Sequence, residues 1–301
     1  MSVFEFSRGF DDAEEQVSRS LLLTEKLFQK SPEVSQKLPV LAAGLIIPPA
    51  REMLSSLSVV VAIDVLRQPD ILPGQFIYLG ELREMYASIS SLWDRAPEWL
   101  GRVRALGIFE PELHLQTGDR AQASLGGSTG CSLNWAGGSG FAMAGHVAPT
   151  VGAPVNCGGS QIGQVVWANN PTGHGTSIEA DFSVVSIGAN SSFSCPYSTC
   201  SHARPYDHIS VVRQGGRPFQ QSIVIGMFAA MALPSHNSTI GDVYITARQI
   251  SSPGDSGAAV IKSNGEIVGH VIGAIPGCAT LVQDVSYQIN EASSFLGNLK
   301  I

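Results

Sequence analysis

Beyond Gly107 the chain is cut by glycines into short runs, and this punctuation limits its fold more than any other feature. Gly126-Gly127, Gly130, Gly137-Gly138, Gly140, Gly158-Gly159 and Gly215-Gly216 separate stretches rich in Val, Ile, Ser and Thr. Short β-favouring runs joined by tight turns are the pattern of an antiparallel barrel or sandwich. Helix is expected again only at the end, around Ser286 to Leu296. With 44% hydrophobic and 14% charged residues, the chain has apolar material for a large core and too little charge for a disordered segment of that length.

The first 110 residues read differently. Residues 11–30 fit a helix, with Asp11 or Asp12 as cap, Glu14 and Glu15 in the first turn, and Val17, Leu21 and Phe28 on one face. Residues 50–66 and 79–107 also read as helices. The second carries Met85, Tyr86, Leu92, Trp93, Trp99, Leu100 and Val103, and Pro97 divides it. The expected organisation is an all-α N-terminal domain, 1–110, followed by a mainly β domain, 111–301. Nothing in the first part forms a chemical constellation, so its Trp and Met residues read as core.

A formal charge of −7 with no basic cluster argues against a nucleic-acid partner or an anionic membrane surface. The start, Met1 to Gln16, is acidic where a secretory signal would be basic and then apolar. The longest apolar stretch, Leu38 to Ile47, is closed by Pro48-Pro49 and is too short to span a bilayer. The expectation is a cytoplasmic protein without a membrane span.

Three segments carry chemistry. Ser251-Ser252-Pro253-Gly254-Asp255-Ser256-Gly257 runs straight into the apolar Ala258-Ala259-Val260. Gly, Asp and Ser are also common in ordinary surface turns. Upstream, Gly140-Phe141-Ala142-Met143-Ala144-Gly145-His146-Val147 is an apolar run ending in small residues and a histidine, and Glu179-Ala180-Asp181-Phe182-Ser183-Val184-Val185 sets an aspartate before an alternating strand.

These segments, in the order His146, Asp181, Ser256, resemble those of the trypsin/chymotrypsin family of serine proteases over about 112–298. The finer likeness is to a non-secreted, fungal-type branch. The resemblance implies two antiparallel six-stranded β-barrels, about 115–188 and 208–285, with the site in the cleft between them. It implies Ser256 as nucleophile, His146 as base and Asp181 as the group orienting the imidazole. The N–H groups of Gly254 and Ser256 would form an oxyanion hole. Ile250, Ser251, Val271, Ile272 and Gly273 would border the substrate cleft. A protein or peptide is the implied substrate, with no cofactor and no metal.

Four departures stand out. Val147 replaces the cysteine that follows the histidine in secreted members, which leaves Cys131 without its partner. Ile272 stands where a hydroxyl supports the aspartate, and Ile250 where an acid selects Arg or Lys. An apolar or small side chain is therefore the expected preference. The partner of Asp255 is open between Arg213, Arg217 and a new amino group at Ala105 after cleavage behind Arg104.

Five cysteines cannot all pair within one chain. Cys195, Cys200, His202 and His208 allow a zinc site, a local disulfide or free thiols. Asn190 and Asn237 begin glycosylation sequons, which matter only in the secretory route. The leading expectation is an intracellular serine endopeptidase controlled by its N-terminal part, which could also recruit a regulatory protein. An esterase-like hydrolase is one rival; a pseudoprotease that binds peptides is the other.

Overall fold

The computed structural model describes residues 3–29, 39–47, 56–82, 84, 87, 97–113, 121–122, 126–171, 178–187, 193–213 and 217–301. Helices α1 (Val3–Ser7) and α2 (Ala13–Thr24) open the chain, and α2 continues into a π-helical turn at Glu25–Gln29. Then come β1 (Val40–Ile46), β2 (Ser58–Asp64), β3 (Phe76–Tyr78), α3 (Pro97–Leu100), β4 (Arg104–Ile108) and β5 (Glu112–Leu113). The middle of the chain holds β6 (Ala121–Gln122), β7 (Gly126–Gly127), β8 (Ser132–Trp135), β9 (Gly138–Met143), β10 (Pro154–Cys157) and β11 (Ser160–Asn169). It ends with β12 (Ile178–Glu179) and β13 (Phe182–Ile187). The last third holds β14 (His208–Arg213), β15 (Arg217–Leu233), β16 (Ser238–Thr246), β17 (Ala259–Lys262), β18 (Ile267–Ile275), β19 (Ala279–Asp284) and α4 (Val285–Leu296).

The β-rich reading of the C-terminal part holds. β14 to β19 pair antiparallel in the order β16-β19-β18-β17-β14-β15, and β15 pairs β16 to close the ring. Closure removes the sheet edges that would otherwise need covering. The other sheet is antiparallel in the order β7-β6-β10-β11-β13-β9-β8. It has seven strands, and its described pairings form an open path. The expected pair of six-stranded barrels is therefore matched in strand count by one sheet and not by the other. Helix α4 begins where expected, capped by Asp284, whose side chain accepts the Tyr287 N–H.

The all-α reading of the N-terminal part is corrected. Among the described residues α1, α2 and α3 bear it out, and Pro97 does start a helix. Residues 58–64 and 104–108 are strands, and Val40–Ile46 is a third. β1 lies antiparallel on β15, β2 antiparallel on β1, β4 parallel on β2, and β3 antiparallel on β4. They extend the sheet of the closed ring outward. Every residue of β1 and all but the first of β2 are buried, because α2 packs on β1, β2 and β15. A strand covered on both faces loses polar alternation and reads as a plain apolar run. Val59-Val60-Val61 is the local signal for strand, since β-branched side chains lose rotamer freedom in a helix. Met85, Tyr86, Leu92, Trp93 and the Asn190 sequon lie outside the described residues.

The dimensions of β15 explain how one ring carries this extension. At 17 residues it is long enough to pair β14 along its first part and β1 further on, at Gly226 to Met231. Its approach to β1 is close: a Cβ on Gly44 would lie 2.1 Å from the Met227 carbonyl oxygen. Val3, Phe6, Leu45 and Val61 share one buried cluster with Val260 and Val271.

Candidate active site

His146 follows the end of β9 and meets the aspartate that precedes β13. Gly145 allows this approach, since a Cβ there would sit 1.9 Å from the Asn169 oxygen and 2.8 Å from the Phe182 nitrogen. The His146 backbone N–H donates to Asp181 Oδ1 at 2.8 Å, and ring Nδ1 lies 2.6 Å from Oδ2. Ring Nε2 lies 2.9 Å from Ser256 Oγ. A carboxylate at Nδ1 favours the tautomer with its proton there, which leaves the Nε2 lone pair facing the hydroxyl. Asp181 and Ser256 are fully buried, and His146 is 3% exposed.

Asp181 is also held through its main chain. Its N–H donates to Gln283 Oε1 at 2.8 Å, and Gln283 Nε2 donates to the Gly241 carbonyl at 2.9 Å. Gln288 Nε2 donates to Gln283 Oε1 at 3.1 Å, and Gln288 Oε1 meets His270 Nδ1 at 2.7 Å. The Cys131 N–H completes the chain at His270 Nε2, 3.4 Å away. Nε2 is thus an acceptor and Nδ1 the donor. Burial pushes the His270 pKa down to about 4, partly opposed by the bond to Gln288. This relay connects β8, β18, β19 and α4 to the aspartate. Gln283 and Gln288 were not singled out from sequence, although Gln283, a polar residue inside an apolar strand, was a visible signal.

The turn around Ser256 has two glycines at positive φ, Gly254 at 91° and Gly257 at 86°. Ser128 ties it across the cleft, its Oγ donating to the Gly254 carbonyl and its N–H to the Ser256 carbonyl, both at 2.8 Å. Asp255 is buried, and its partner is Arg213. Nε of Arg213 reaches both carboxylate oxygens, at 3.1 and 3.0 Å, Nη2 reaches Oδ2 at 2.5 Å, and the Ser252 N–H adds a third donor at 2.8 Å. The guanidinium also stacks on Phe219, 4.0 Å from the ring centre. The cleavage alternative fits poorly, since Ala105 is buried in β4, paired with Val61 and Ile77.

Ile250, Ser251, Val271 and Ile272 are all buried. Ser251 is fixed by Thr280, whose Oγ1 accepts the N–H groups of Ile250 and Ser251 at 2.8 and 2.9 Å. Ile272, at the position expected to offer a hydroxyl, packs with Ile275 and Leu281. Gly273 pairs β19 on one side and β5 on the other.

The cysteine–histidine group does not converge. His202 Nδ1 lies 3.0 Å from Asp284 Oδ2, and His208 pairs Ile223 at the start of β14. Among the described residues no three metal-ligating side chains cluster. All five cysteines are free, and burial pushes the Cys131 thiol far up.

No family model and no curated protein matches the chain. Among solved structures it is similar to a Cellulomonas bogoriensis chymotrypsin, at 16% identity, covering 62% of this chain and 97% of that one, with a TM-score of 0.46. It is similar to a Nocardiopsis protease at 21% identity, with coverages of 62% and 97% and a TM-score of 0.46. A third similarity is to Thermobifida fusca protease A, at 17% identity, with coverages of 61% and 96% and a TM-score of 0.47.

Proposed function

We propose that the chain is a serine endopeptidase working through His146, Asp181 and Ser256. The observation that carries the reading is the placement of one imidazole between a carboxylate at 2.6 Å and a serine hydroxyl at 2.9 Å. Ser256 Oγ attacks a peptide carbonyl while His146 Nε2 takes its proton. His146 returns that proton to the leaving amine, and water then hydrolyses the acyl-enzyme by the same route. Asp181 keeps Nδ1 protonated and stabilises the imidazolium formed in transit. The N–H groups of Gly254 and Ser256 receive the developing oxyanion. Substrates with an apolar or small side chain before the cleaved bond fit Ile250 better than basic ones do.

A fluorophosphonate should label Ser256, and a peptide-library digest should then give cleavage products. Ser256→Ala and His146→Ala should each lower kcat by roughly 10⁶-fold, with Asp181→Ala less severe. Turnover retained in Ser256→Ala would remove the assignment. Five free cysteines support a reducing compartment, which thiol titration of protein isolated under alkylating conditions would test. The N-terminal part is proposed to control the enzyme.

A further inference from the structure

The edge of β18 beside Ser256 is already taken by the chain itself. β17 and β18 stay paired only to the level of His270 and Val271. Ala259 pairs His270, the Val271 N–H donates to the Ala258 carbonyl at 3.0 Å, and the Gly257 N–H to the Val271 carbonyl at 2.8 Å. Beyond Val271 this edge of β18 is vacated, at the place where the neighbouring chain turns through Ser256. β19 holds the opposite edge at Gly273 and Ala274, so β5 must lie on the vacated one, with Leu113 opposite Gly273 and Glu112 opposite Ala274. The pairing is antiparallel, and the direction from Glu112 to Leu113 therefore points towards Val271 and the nucleophile.

Only an extended peptide can use such an edge, since its backbone supplies the ladder. The built-in occupant borders an open hollow and is tethered just ahead of the strand. Its described residues are Glu112–Leu113, and Glu110, Pro111 and Glu112 border a hollow of about 600 Å³. Just before it, Glu110 Oε1 accepts the Ser235 N–H at 2.8 Å, a tether to the turn between β15 and β16. Ser256, meanwhile, is 0% exposed.

We propose that Glu112–Leu113 is an internal competitor for the substrate backbone, so that peptides reach Ser256 only when this strand is displaced. This rests on the endopeptidase reading. Two phosphonate probes separate the steps: a small alkyl fluorophosphonate that needs only Ser256, and a tetrapeptide phosphonate that also needs the β18 edge. In an antiparallel pair only alternate residues aim their N–H at the neighbour, so Glu112→Pro combined with Leu113→Pro removes whichever bond is present. Glu110→Ala loosens the tether without altering the strand, and serves if the double variant melts early.

The expected result is a rise of roughly tenfold in tetrapeptide labelling, the scale of one or two lost hydrogen bonds, with small-probe labelling within about twofold of the wild type. An equal rise with both probes would overturn the proposal, because the strand would then be covering the serine generally. Unchanged tetrapeptide labelling in both variants would overturn it too. Failure of every form to label with the small probe would instead overturn the endopeptidase reading, and this proposal with it.

Discussion

Asp255 is 1% exposed beside Ser256, and the charge that answers it comes from Arg213. Arg213→Met would leave that carboxylate buried without its counter-ion, at a cost of about 3 kcal/mol in stability. Denaturant titration should show the loss, and turnover should fall with it as the turn at Gly254 loosens. Arg213→Lys should lie between, since an ammonium keeps the charge and loses the fork. His270 makes a different demand. Its folded pKa of about 4 lies below the ordinary value of 6.5, so the unfolded chain binds more protons between these limits. The stability from keeping His270 neutral is complete above about pH 6.5 and is lost as pH falls towards 4, by up to about 3 kcal/mol. Melting of wild type and His270→Gln across that range should diverge by this component. Parallel curves would show that His270 titrates normally.

At the scale of elements, helix and strand were legible where one face meets water. α4 carries a cap, α2 and α4 each bury one face, and β11 alternates enough to be read as a strand. Asp12 sits at the N-cap of α2 but its side chain makes no capping bond, and Leu21, expected on the inner face, is 48% exposed. β2 was misread as helix and β1 was not read as a strand because both of their faces are covered, which the docking of α2 on one side makes so. Gly44 tests the close pairing of β1 with β15. Its missing Cβ is what lets the β1 backbone lie against Met227, so Gly44→Ala should lower Tm by about 5 °C or more. Gly138→Ala, whose Cβ would meet Trp135 at an ordinary 3.4 Å, should change Tm by only about 1 °C. Equal effects would mean that β1 tolerates displacement.

Across the whole molecule, the sheet of the closed ring runs through β15 into β1, β2, β4 and β3, so residues before 110 share its hydrogen bonding and its core. Calorimetry should show no separate transition for the N-terminal part. Removing residues 1–110 would strip β1 from β15 and leave a long apolar edge at Gly226 to Met231, so the truncated chain should aggregate. A soluble, active product of that deletion would show that the extension is an appendage. Among the described residues no helix is long and apolar enough to cross a membrane.

His146, Asp181 and Ser256 could be picked out from the sequence because each stands in a local motif, and their order along the chain is a property of the chain alone. The strand-rich second half was equally legible, since turn glycines and β-branched runs act through local backbone preferences. The partner of Asp255 remained a choice among three until β14 placed Arg213 beside it, 42 residues away in sequence. The relay from Asp181 to Cys131 joins residues up to 139 positions apart, and the seat of β5 on β18 joins Leu113 to Gly273. Contacts of that range depend on how whole sheets pack, and local composition carries no record of them. Tertiary structure alone decided which side chains support the aspartate, and which stretch of chain pairs the edge of β18 beside Ser256.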